Sequence, residues 1–409
     1  HGSHWVTTWS SAQQGCPARA NIPQAFYSDD GVAFENATIR QTVRLTLGGD
    51  DLRIRLSNAF VGVEVQIDRV TIALPALEEV VGKMTRSGSP TIEPASLQQL
   101  SFAGRPSTII PAGGQMISDP VAFPIPNDST ITISLYISRG QETDTVTCHM
   151  VARTRTWIVE GDSVAAPTVP QTRMADTPIS WYFLSAVEAW KPLDHHAVVV
   201  FGDSITDVSA APIDSDLRWT NRLFRRLQQS PNAGLQKLSV LNQAVRGNRL
   251  IDDDIRAPNL NARLDSDAIA ISGIKFAVIV EGLLDITRGR TSLRTIVQFQ
   301  QMIARLHAAD VFVFGATLKP FSCVSAERPW RGANRPPSEV ERLKVNRWIR
   351  NTTDFDAMVD FDETLRNPSN TTESRPEYQG EDCLHPSLAG MDAMADVFPL
   401  DAFERLLDG

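Results

Sequence analysis

A serine and a histidine-aspartate pair stand out in this sequence as side chains that could act together in nucleophilic catalysis. Ser204 lies in Gly202-Asp203-Ser204, and a serine at a turn from a strand to a helix can expose its hydroxyl to a carbonyl. Asp382 and His385 are three residues apart. Within one turn, the carboxylate can therefore accept a hydrogen bond from Nδ1 and leave Nε2 free to take the serine proton. Together these residues predict a Ser-His-Asp triad.

Each motif also has an ordinary structural interpretation when it stands alone. Composition produces a Gly-Asp-Ser tripeptide in roughly one chain of this length in ten, and a second copy occurs at Gly161-Asp162-Ser163. This copy precedes Ala165-Ala166-Pro167 without a helical pattern, which predicts a turn. Asp382 could likewise cap a helix while His385 lies at the surface. The joint occurrence of the two motifs favours the catalytic interpretation of Ser204.

The segments around Ser204 predict a parallel sheet. From residue 197 onward, short apolar segments alternate with amphipathic helical patterns such as the one at 219–227. The predicted strands are residues 197–201, 238–241, 276–280 and 311–314. This alternation is typical of α/β folds, in which ligands bind beyond the carboxyl ends of the strands. Ser204 directly follows the first of these strands.

The first half of the chain predicts an antiparallel sheet structure. Apolar and polar residues alternate with a period of two at 39–47, 52–56 and 131–137. Such strands, separated by Gly-rich and Pro-rich stretches, predict a β-sandwich of jelly-roll type. A length of 409 residues favours two domains. We therefore predict a β-sandwich domain at 5–190 and an α/β domain at 191–409.

Composition narrows the classes of partner. A net charge of -9 argues against binding to nucleic acid or to an anionic membrane, because such a chain cannot neutralise a row of phosphates. The apolar runs are too short to cross a bilayer, which predicts no membrane span. Recognisable metal-binding and phosphate-binding motifs are absent from the sequence. We therefore expect chemistry without a metal or cofactor, acting on a small molecule.

Cysteines and glycosylation sequons favour an extracellular protein. Two cysteines fall in each half of the chain, and we predict the pairs Cys16–Cys148 and Cys323–Cys383. Four free thiols and two other connectivities stay open. Sequons for N-glycosylation begin at Asn36, Asn127, Asn351 and Asn370. The first four residues look like an expression remnant, so we expect that a leader was removed and that the protein is secreted.

The chain resembles the SGNH hydrolase superfamily of GDSL-like lipases and acylhydrolases, in particular its secreted type with an N-terminal β domain. The resemblance is carried by three blocks, which are FGDSITD at 201–207, NQAVRGNRL at 242–250 and DCLHP at 382–386. These blocks follow the family's order, and the resemblance covers most of the chain. It implies a three-layer α/β fold for the C-terminal domain.

The resemblance also implies roles for single residues. Ser204 would be the nucleophile, His385 the general base and then acid, and Asp382 the group that orients His385. The backbone amides of Ser204 and Gly247 would be oxyanion donors. By their positions beside these motifs, we assign Asp203, Leu284 and Asp285 to the substrate pocket.

The sequence departs from the family pattern at Leu284. The family has Gly-x-Asn-Asp after the third strand, whereas this chain has Gly282-Leu283-Leu284-Asp285. Leucine has no polar atom to replace the asparagine side chain, which is the family's third oxyanion donor. Loss of one such donor costs about 10²–10³ in turnover. Asn248 could substitute as a donor in an ordinary esterase. Alternatively, the apolar wall suits a bulky apolar substrate, or acyl transfer or cyclisation without water.

These observations predict a secreted serine carboxylic-ester hydrolase that forms a covalent acyl-enzyme on a small-molecule or glycan ester. A first alternative is an acyltransferase or cyclase of specialised metabolism that uses the same serine. A second is a glycan-binding protein with a relic site. Glu281, directly before Gly282, could be a further acid or base, although a glutamate at a strand end is more often solvated.

Overall fold

The computed structural model describes residues 2–80, 82–170, 177–207, 211–254, 257–322 and 336–408. The chain divides into two compact units. The β unit comprises Thr8–Trp190 with Pro212–Asp216, and the α/β unit comprises His1–Thr7, Lys191–Ala211 and Leu217–Gly409.

Antiparallel strands account for most of the first half of the chain, and a short helix, α1 (Ala18–Asn21), lies among them. The strands are β1 (Ser3–Ser10), β2 (Gln14–Pro17), β3 (Val32–Leu45), β4 (Gly49–Ser57), β5 (Val65–Ile67), β6 (Arg69–Ala73), β7 (Glu78–Val80), β8 (Lys83–Thr85), β9 (Gln98–Gln99), β10 (Thr108–Ile110), β11 (Gln115–Ile117), β12 (Val121–Ile125), β13 (Ser129–Glu142), β14 (Thr145–His149), β15 (Thr156–Glu160), β16 (Trp181–Tyr182) and β17 (Leu184–Pro192).

Two five-stranded antiparallel sheets dominate this half. One has the order β15-β3-β13-β6-β9, and the other has the order β1-β17-β4-β11, with β12 also paired to β4. Alternate residues of β4 and β13, such as Leu52, Ile54, Ile131 and Ile133, are buried in one hydrophobic cluster. The period of two therefore predicted these strands correctly, because it marks the side chains that leave water. Their arrangement as a sandwich stays a prediction.

The disulfide predicted between Cys16 and Cys148 is confirmed. It joins β2 to β14, which are neighbouring antiparallel strands. Cys383 is also disulfide-bonded, and its predicted partner Cys323 lies outside the described residues.

A five-stranded parallel sheet forms the centre of the α/β unit. Its strands are β18 (His196–Gly202), β19 (Leu238–Asn242), β20 (Ile274–Val280), β21 (Phe312–Ala316) and β22 (Ala357–Val359), in the order β19-β18-β20-β21-β22. All four strand pairings are parallel. The four strands predicted from apolar runs are confirmed, and β22 was missed. Continuous burial along β18 and β20 is typical of a parallel sheet covered on both faces.

Helices follow most of these strands, which agrees with the predicted α/β alternation. They are α2 (Ser204–Asp207), α3 (Trp219–Gln229), α4 (Leu260–Leu264), α5 (Leu283–Thr287), α6 (Ser292–His307), α7 (Pro336–Asn351), α8 (Phe361–Leu365), α9 (Leu388–Asp396) and α10 (Leu400–Asp408). A hairpin of β23 (Arg366–Asn367) and β24 (Asn370–Ser374) precedes α9. Over the described residues, we find no helix with the length and apolar character needed to span a membrane.

Candidate active site

The turn that carries Ser204 lies where β18 meets α2. Strand β18 ends at Gly202, and a Cβ atom there would lie 2.5 Å from Oγ1 of Thr206, so only glycine fits this turn without displacing the helix. Oδ1 of Asp203 accepts a hydrogen bond from the amide of Ile205 at 2.8 Å and closes the turn. Ser204 is thereby the first residue of α2, beyond the carboxyl end of β18. This is the position that the sequence predicts.

The structure brings Ser204, His385 and Asp382 together in one chain of hydrogen bonds. Nε2 of His385 lies 2.8 Å from Oγ of Ser204, and Nδ1 lies 2.5 Å from Oδ2 of Asp382. Oδ1 of Asp382 accepts hydrogen bonds from the backbone amides of His385 and Leu384 at 3.0 and 3.1 Å. These contacts hold the imidazole with one nitrogen on the carboxylate and the other on the serine, which is the geometry that proton transfer from serine requires.

A tight turn ahead of α9 presents His385. The amide of Gly380 donates to the carbonyl of His385 at 2.8 Å, and a Cβ atom on Gly380 would lie 2.7 Å from that same oxygen. Helix α9 begins at Leu388. Its N-cap is Ser387, whose hydroxyl accepts a hydrogen bond from the amide of Gly390. Asp382 is therefore not the cap of this helix, and its carboxylate is directed to His385 instead.

The surroundings of Asp382 keep its carboxyl group ionised. Burial alone would raise the pKa, but hydrogen bonds from the ring and amide of His385 and from the amide of Leu384 outweigh it and lower the pKa to about 2. The carboxylate is therefore negative at neutral pH. A negative charge at Nδ1 favours the imidazolium that forms when Nε2 takes a proton.

Two backbone N–H groups beside the serine turn have no protein acceptor among the described residues. The loop after β19 packs on this turn, because the amide of Val245 donates to the carbonyl of Gly202 at 2.9 Å. Gly247 in this loop has φ of +81°, a conformation that favours glycine. Within the part of the chain that the structure describes, the amides of Ser204 and Gly247 donate to no protein oxygen. Their predicted role as oxyanion donors stays a prediction.

The side chain of Asn248 is committed to other partners. It is fully buried, its Nδ2 donates to the carbonyl of Pro258 at 2.9 Å, and its Oδ1 accepts two hydrogen bonds from Arg263 at 2.8 and 3.0 Å. These contacts hold the loop after β19 to α4, which contains Arg263. Asn248 therefore supports the loop, and its predicted use as a replacement oxyanion donor stays a prediction.

Leu284 and Asp285 lie in α5, directly after β20. Leu284 is 6% exposed, so an apolar side chain occupies the position of the family's asparagine. Asp285 is fully buried, and its two oxygens accept hydrogen bonds from the amides of Leu250 and Ile251 at 2.9 and 3.0 Å. Both oxygens hold the loop after β19, and the predicted place of Asp285 in the substrate pocket stays a prediction. Asp203 is likewise buried and holds the serine turn.

A buried set of ionisable side chains lies beside the serine turn. Asp203, Glu281 and Lys319 all line one small cavity of about 20 Å³. Burial is the main cause that raises the pKa of Asp203 to about 6, and it is also the main cause that raises the pKa of Glu281 well above its usual value. Glu281 is 1% exposed, and neither carboxyl oxygen has a hydrogen-bond partner in the described ranges. The expectation that Glu281 is solvated is therefore wrong.

Lys319 is the member of this set that no motif in the sequence indicated. Its side chain is 4% exposed, and Nζ donates to the carbonyls of Pro320 at 2.6 Å and Leu384 at 2.9 Å. Its position three residues beyond β21, at the carboxyl edge of the sheet, was the signal that could have identified it. Burial, followed by the nearby Arg342 charge, lowers the pKa of Lys319 to about 7.

No set of three or more His, Cys, Asp or Glu side chains among the described residues is arranged to hold a metal ion. Ser204, His385 and Asp382 offer chemistry of their own. A hydroxyl that can lose its proton to Nε2 is a nucleophile for an acyl carbonyl.

The chain resembles a known family and several solved structures. Residues 200–393 match the model of the GDSL-like Lipase/Acylhydrolase family. Similar solved structures include a GDSL-like lipase from Bacteroides thetaiotaomicron, with 17% identity, 51% of this chain and 88% of that chain covered, and a TM-score of 0.38. Another is a member of the lipolytic protein G-D-S-L family from Veillonella parvula, with 16% identity, 51% and 99% covered, and a TM-score of 0.38. No curated protein matches the chain.

Proposed function

We propose that the protein is a serine carboxylic-ester hydrolase, because residues 200–393 match the GDSL-like Lipase/Acylhydrolase family. The observation that carries this proposal is the 2.8 Å contact between Nε2 of His385 and Oγ of Ser204. These residues are 181 positions apart in the sequence. Their contact, with Asp382 on the far side of the ring, supports the roles of nucleophile, base and orienting group.

The reaction proceeds through a covalent acyl-enzyme. Oγ of Ser204 attacks the carbonyl carbon of the ester while its proton moves to Nε2 of His385, and Asp382 stabilises the imidazolium. Collapse of the tetrahedral intermediate breaks the ester bond, and Nε2 returns the proton to the leaving alcohol oxygen. Water then attacks the acyl group with His385 as base, which releases a carboxylic acid and restores the serine.

The oxyanion site of this mechanism has two backbone donors, the amides of Ser204 and Gly247, and no side-chain donor at Leu284. A missing donor lowers turnover by about 10²–10³. We therefore expect slow hydrolysis of simple esters. The nucleophile, base and carboxylate are unaffected by the change, so covalent catalysis is retained.

An acyltransferase or cyclase is the second candidate, and the apolar Leu284 favours it. An apolar wall beside the acyl-enzyme gives water less hydrogen-bonding support than the family's asparagine would, so a bulky alcohol could compete for the acyl group. Addition of an alcohol acceptor separates the two functions. Transfer raises the yield of the new ester at the expense of free acid, whereas hydrolysis yields acid alone.

Secretion and N-glycosylation form part of the proposal, together with a sandwich arrangement of the β strands and a three-layer α/β unit. Exposure of all four sequon asparagines supports glycosylation, and the Cys16–Cys148 disulfide supports an oxidising compartment. The four asparagines are Asn36, Asn127, Asn351 and Asn370. The substrate is proposed to be a small-molecule or glycan ester.

Labelling with a fluorophosphonate tests the proposed nucleophile. The reagent should modify the intact protein, and Ser204→Ala should abolish both labelling and ester turnover. Ser163→Ala is the matched control, because Ser163 stands in the second Gly-Asp-Ser copy, and it should change neither measurement. A wild-type protein that is not labelled, or a Ser204→Ala variant that still turns over ester, would refute the proposal.

A further inference from the structure

We propose that Lys319 is a positioning residue that holds the loop of Asp382 and His385 in contact with Ser204. The inference rests on the proposed function for the reaction that the loop serves. Nζ of Lys319 donates to the carbonyl of Leu384 at 2.9 Å. Leu384 is the residue directly before His385, and its own amide donates to Oδ1 of Asp382. The ammonium group therefore holds the backbone of this loop at the peptide that links the triad carboxylate to the triad base.

Lys319 can act as an anchor because the residue before it, Leu318, is firmly held. The amide of Leu318 donates to Oδ1 of Asn346 at 2.7 Å, and the carbonyl of Leu318 accepts hydrogen bonds from Nδ2 of Asn346 and Nη1 of Arg342, both at 2.8 Å. Asn346 and Arg342 lie in α7, and both are fully buried. The residue before Lys319 is thus fixed to a long helix on both its backbone groups.

Burial of the Lys319 side chain costs free energy, which its role at the site explains. Burial of an ammonium group in a small cavity carries a desolvation penalty. In the described part of the chain, its hydrogen bonds go to the carbonyls of Pro320 and Leu384 alone. Charges on Asp382 and Asp203 favour the ammonium form, while burial opposes it. An apolar side chain of equal length would avoid the penalty and would lose the hold on Leu384.

A pair of matched variants separates positioning from mere structural support. Lys319→Met keeps the length of the side chain and removes its donors, so kcat and the rate of fluorophosphonate labelling should fall about tenfold or more, the effect of a lost hydrogen bond from a charged donor. KM should stay within about twofold, because the proposed role of Lys319 is to hold the loop of His385 and not to bind substrate. The melting temperature should be unchanged or higher, since a buried charge has been removed.

Lys344→Met is the control for loss of a lysine from the same unit. Lys344 lies on α7 with its side chain 55% exposed and paired to Glu341, so its loss should leave kcat and labelling unchanged. A folded Lys319→Met variant with wild-type kcat would overturn the proposal. If Lys319→Met fails to fold, Lys319→Gln takes its place. This variant retains a shorter neutral donor and should show an intermediate loss of kcat. Wild-type kcat in Lys319→Gln would also overturn the proposal.

A second measurement reports the loop geometry without substrate. The proton between Nδ1 of His385 and Asp382 should give a downfield NMR resonance that His385→Gln removes. Lys319→Met should broaden or abolish this resonance, and Lys344→Met should retain it. A sharp, unshifted resonance in Lys319→Met contradicts the positioning role. If wild-type protein shows no ester turnover while the resonance still depends on Lys319, the proposed hydrolase function fails and the positioning role stands.

Discussion

The same tripeptide occurs in both units of the molecule, and its two copies have different surroundings. Gly161-Asp162-Ser163 follows the antiparallel strand β15, and the amide of Ala166 donates to the carbonyl of Ser163 at 3.0 Å, so the chain makes the predicted turn. Asp162 is exposed and pairs with Arg69 at 2.7 Å. The amide of Ser163 donates to Oγ1 of Thr38 at 2.8 Å. This copy therefore forms a connecting turn after β15.

Gly202-Asp203-Ser204 follows a parallel strand and begins a helix instead. Asp203 and Ser204 are 2% and 6% exposed, and the hydroxyl of Ser204 meets His385. The tripeptide supplies a hydroxyl in both places, but its reactivity depends on the direction in which the strand and helix present it and on a base from a distant loop. The difference shows that the motif predicts chemistry only through the elements around it.

The largest test of this comparison removes the base. His385→Gln should make Ser204 as unreactive as Ser163, with a loss of about 10³–10⁴ in kcat/KM, because no group remains to take the serine proton. Ester hydrolysis and fluorophosphonate labelling measure the effect. His307→Gln is a matched control, since His307 also contacts a carboxylate, Asp356, at 2.8 Å. Retained labelling in His385→Gln would show that the contact with His385 is not what distinguishes the two serines.

A smaller test adds a polar side chain at position 284, in the site of Ser204. Leu284→Asn should raise hydrolysis of simple esters by about 10²-fold, because it restores a polar donor at the position where the family has one. Steady-state kinetics on an activated ester measures the gain. Leu293→Asn, at a position that is 70% exposed, should leave the rate unchanged. An equal or lower rate in folded Leu284→Asn would mean that the oxyanion site does not depend on this side chain.

The smallest test compares Asp203 with Asp162, the aspartates of the two tripeptide copies. The pKa of Asp203 rises from its usual 3.8 to about 6, so the folded protein binds this proton more tightly than the unfolded chain does. The free energy of unfolding therefore falls as pH rises from about 4 to about 6. Asp203→Asn should reduce this fall and stabilise the protein at pH 7 by on the order of 2 kcal/mol.

Urea unfolding at pH 4 to 7 provides the measurement for both aspartates. Asp162→Asn removes only a partly exposed ion pair with Arg69, so it should change the free energy of unfolding by less than about 1 kcal/mol. An unchanged pH dependence in Asp203→Asn would contradict the raised pKa of Asp203. A large effect of Asp162→Asn would show that the turn copy is more than a connection between strands.

Patterns that are local in the sequence predicted much of the molecule. Apolar runs predicted four strands of the parallel sheet, and periodicity predicted α3 and the long antiparallel strands, because these patterns record which side chains leave water. Strand β22 was missed because three residues, Ala357–Val359, show no period. Residue type and spacing predicted the meeting of Ser204 with His385.

Burial of polar side chains was the part that the sequence did not reveal. Glu281 and Lys319 are residue types that usually lie in water, and both are buried because elements far along the chain cover them. The sequence also did not reveal that the buried Oδ1 of Asn248 accepts a hydrogen bond from Arg263. The partners of a polar side chain depend on tertiary packing, and no pattern of neighbours in sequence encodes them.

The bond between Cys16 and Cys148 ties most of the β unit into a covalent ring, since the two cysteines are 132 positions apart. Such a disulfide restricts the unfolded chain, because the two cysteines can no longer separate. For a loop of this length, the entropy that is removed stabilises the folded state by on the order of 5 kcal/mol. Part of the stability of the β unit therefore resides in the restricted freedom of its denatured state, where none of its sheets exists.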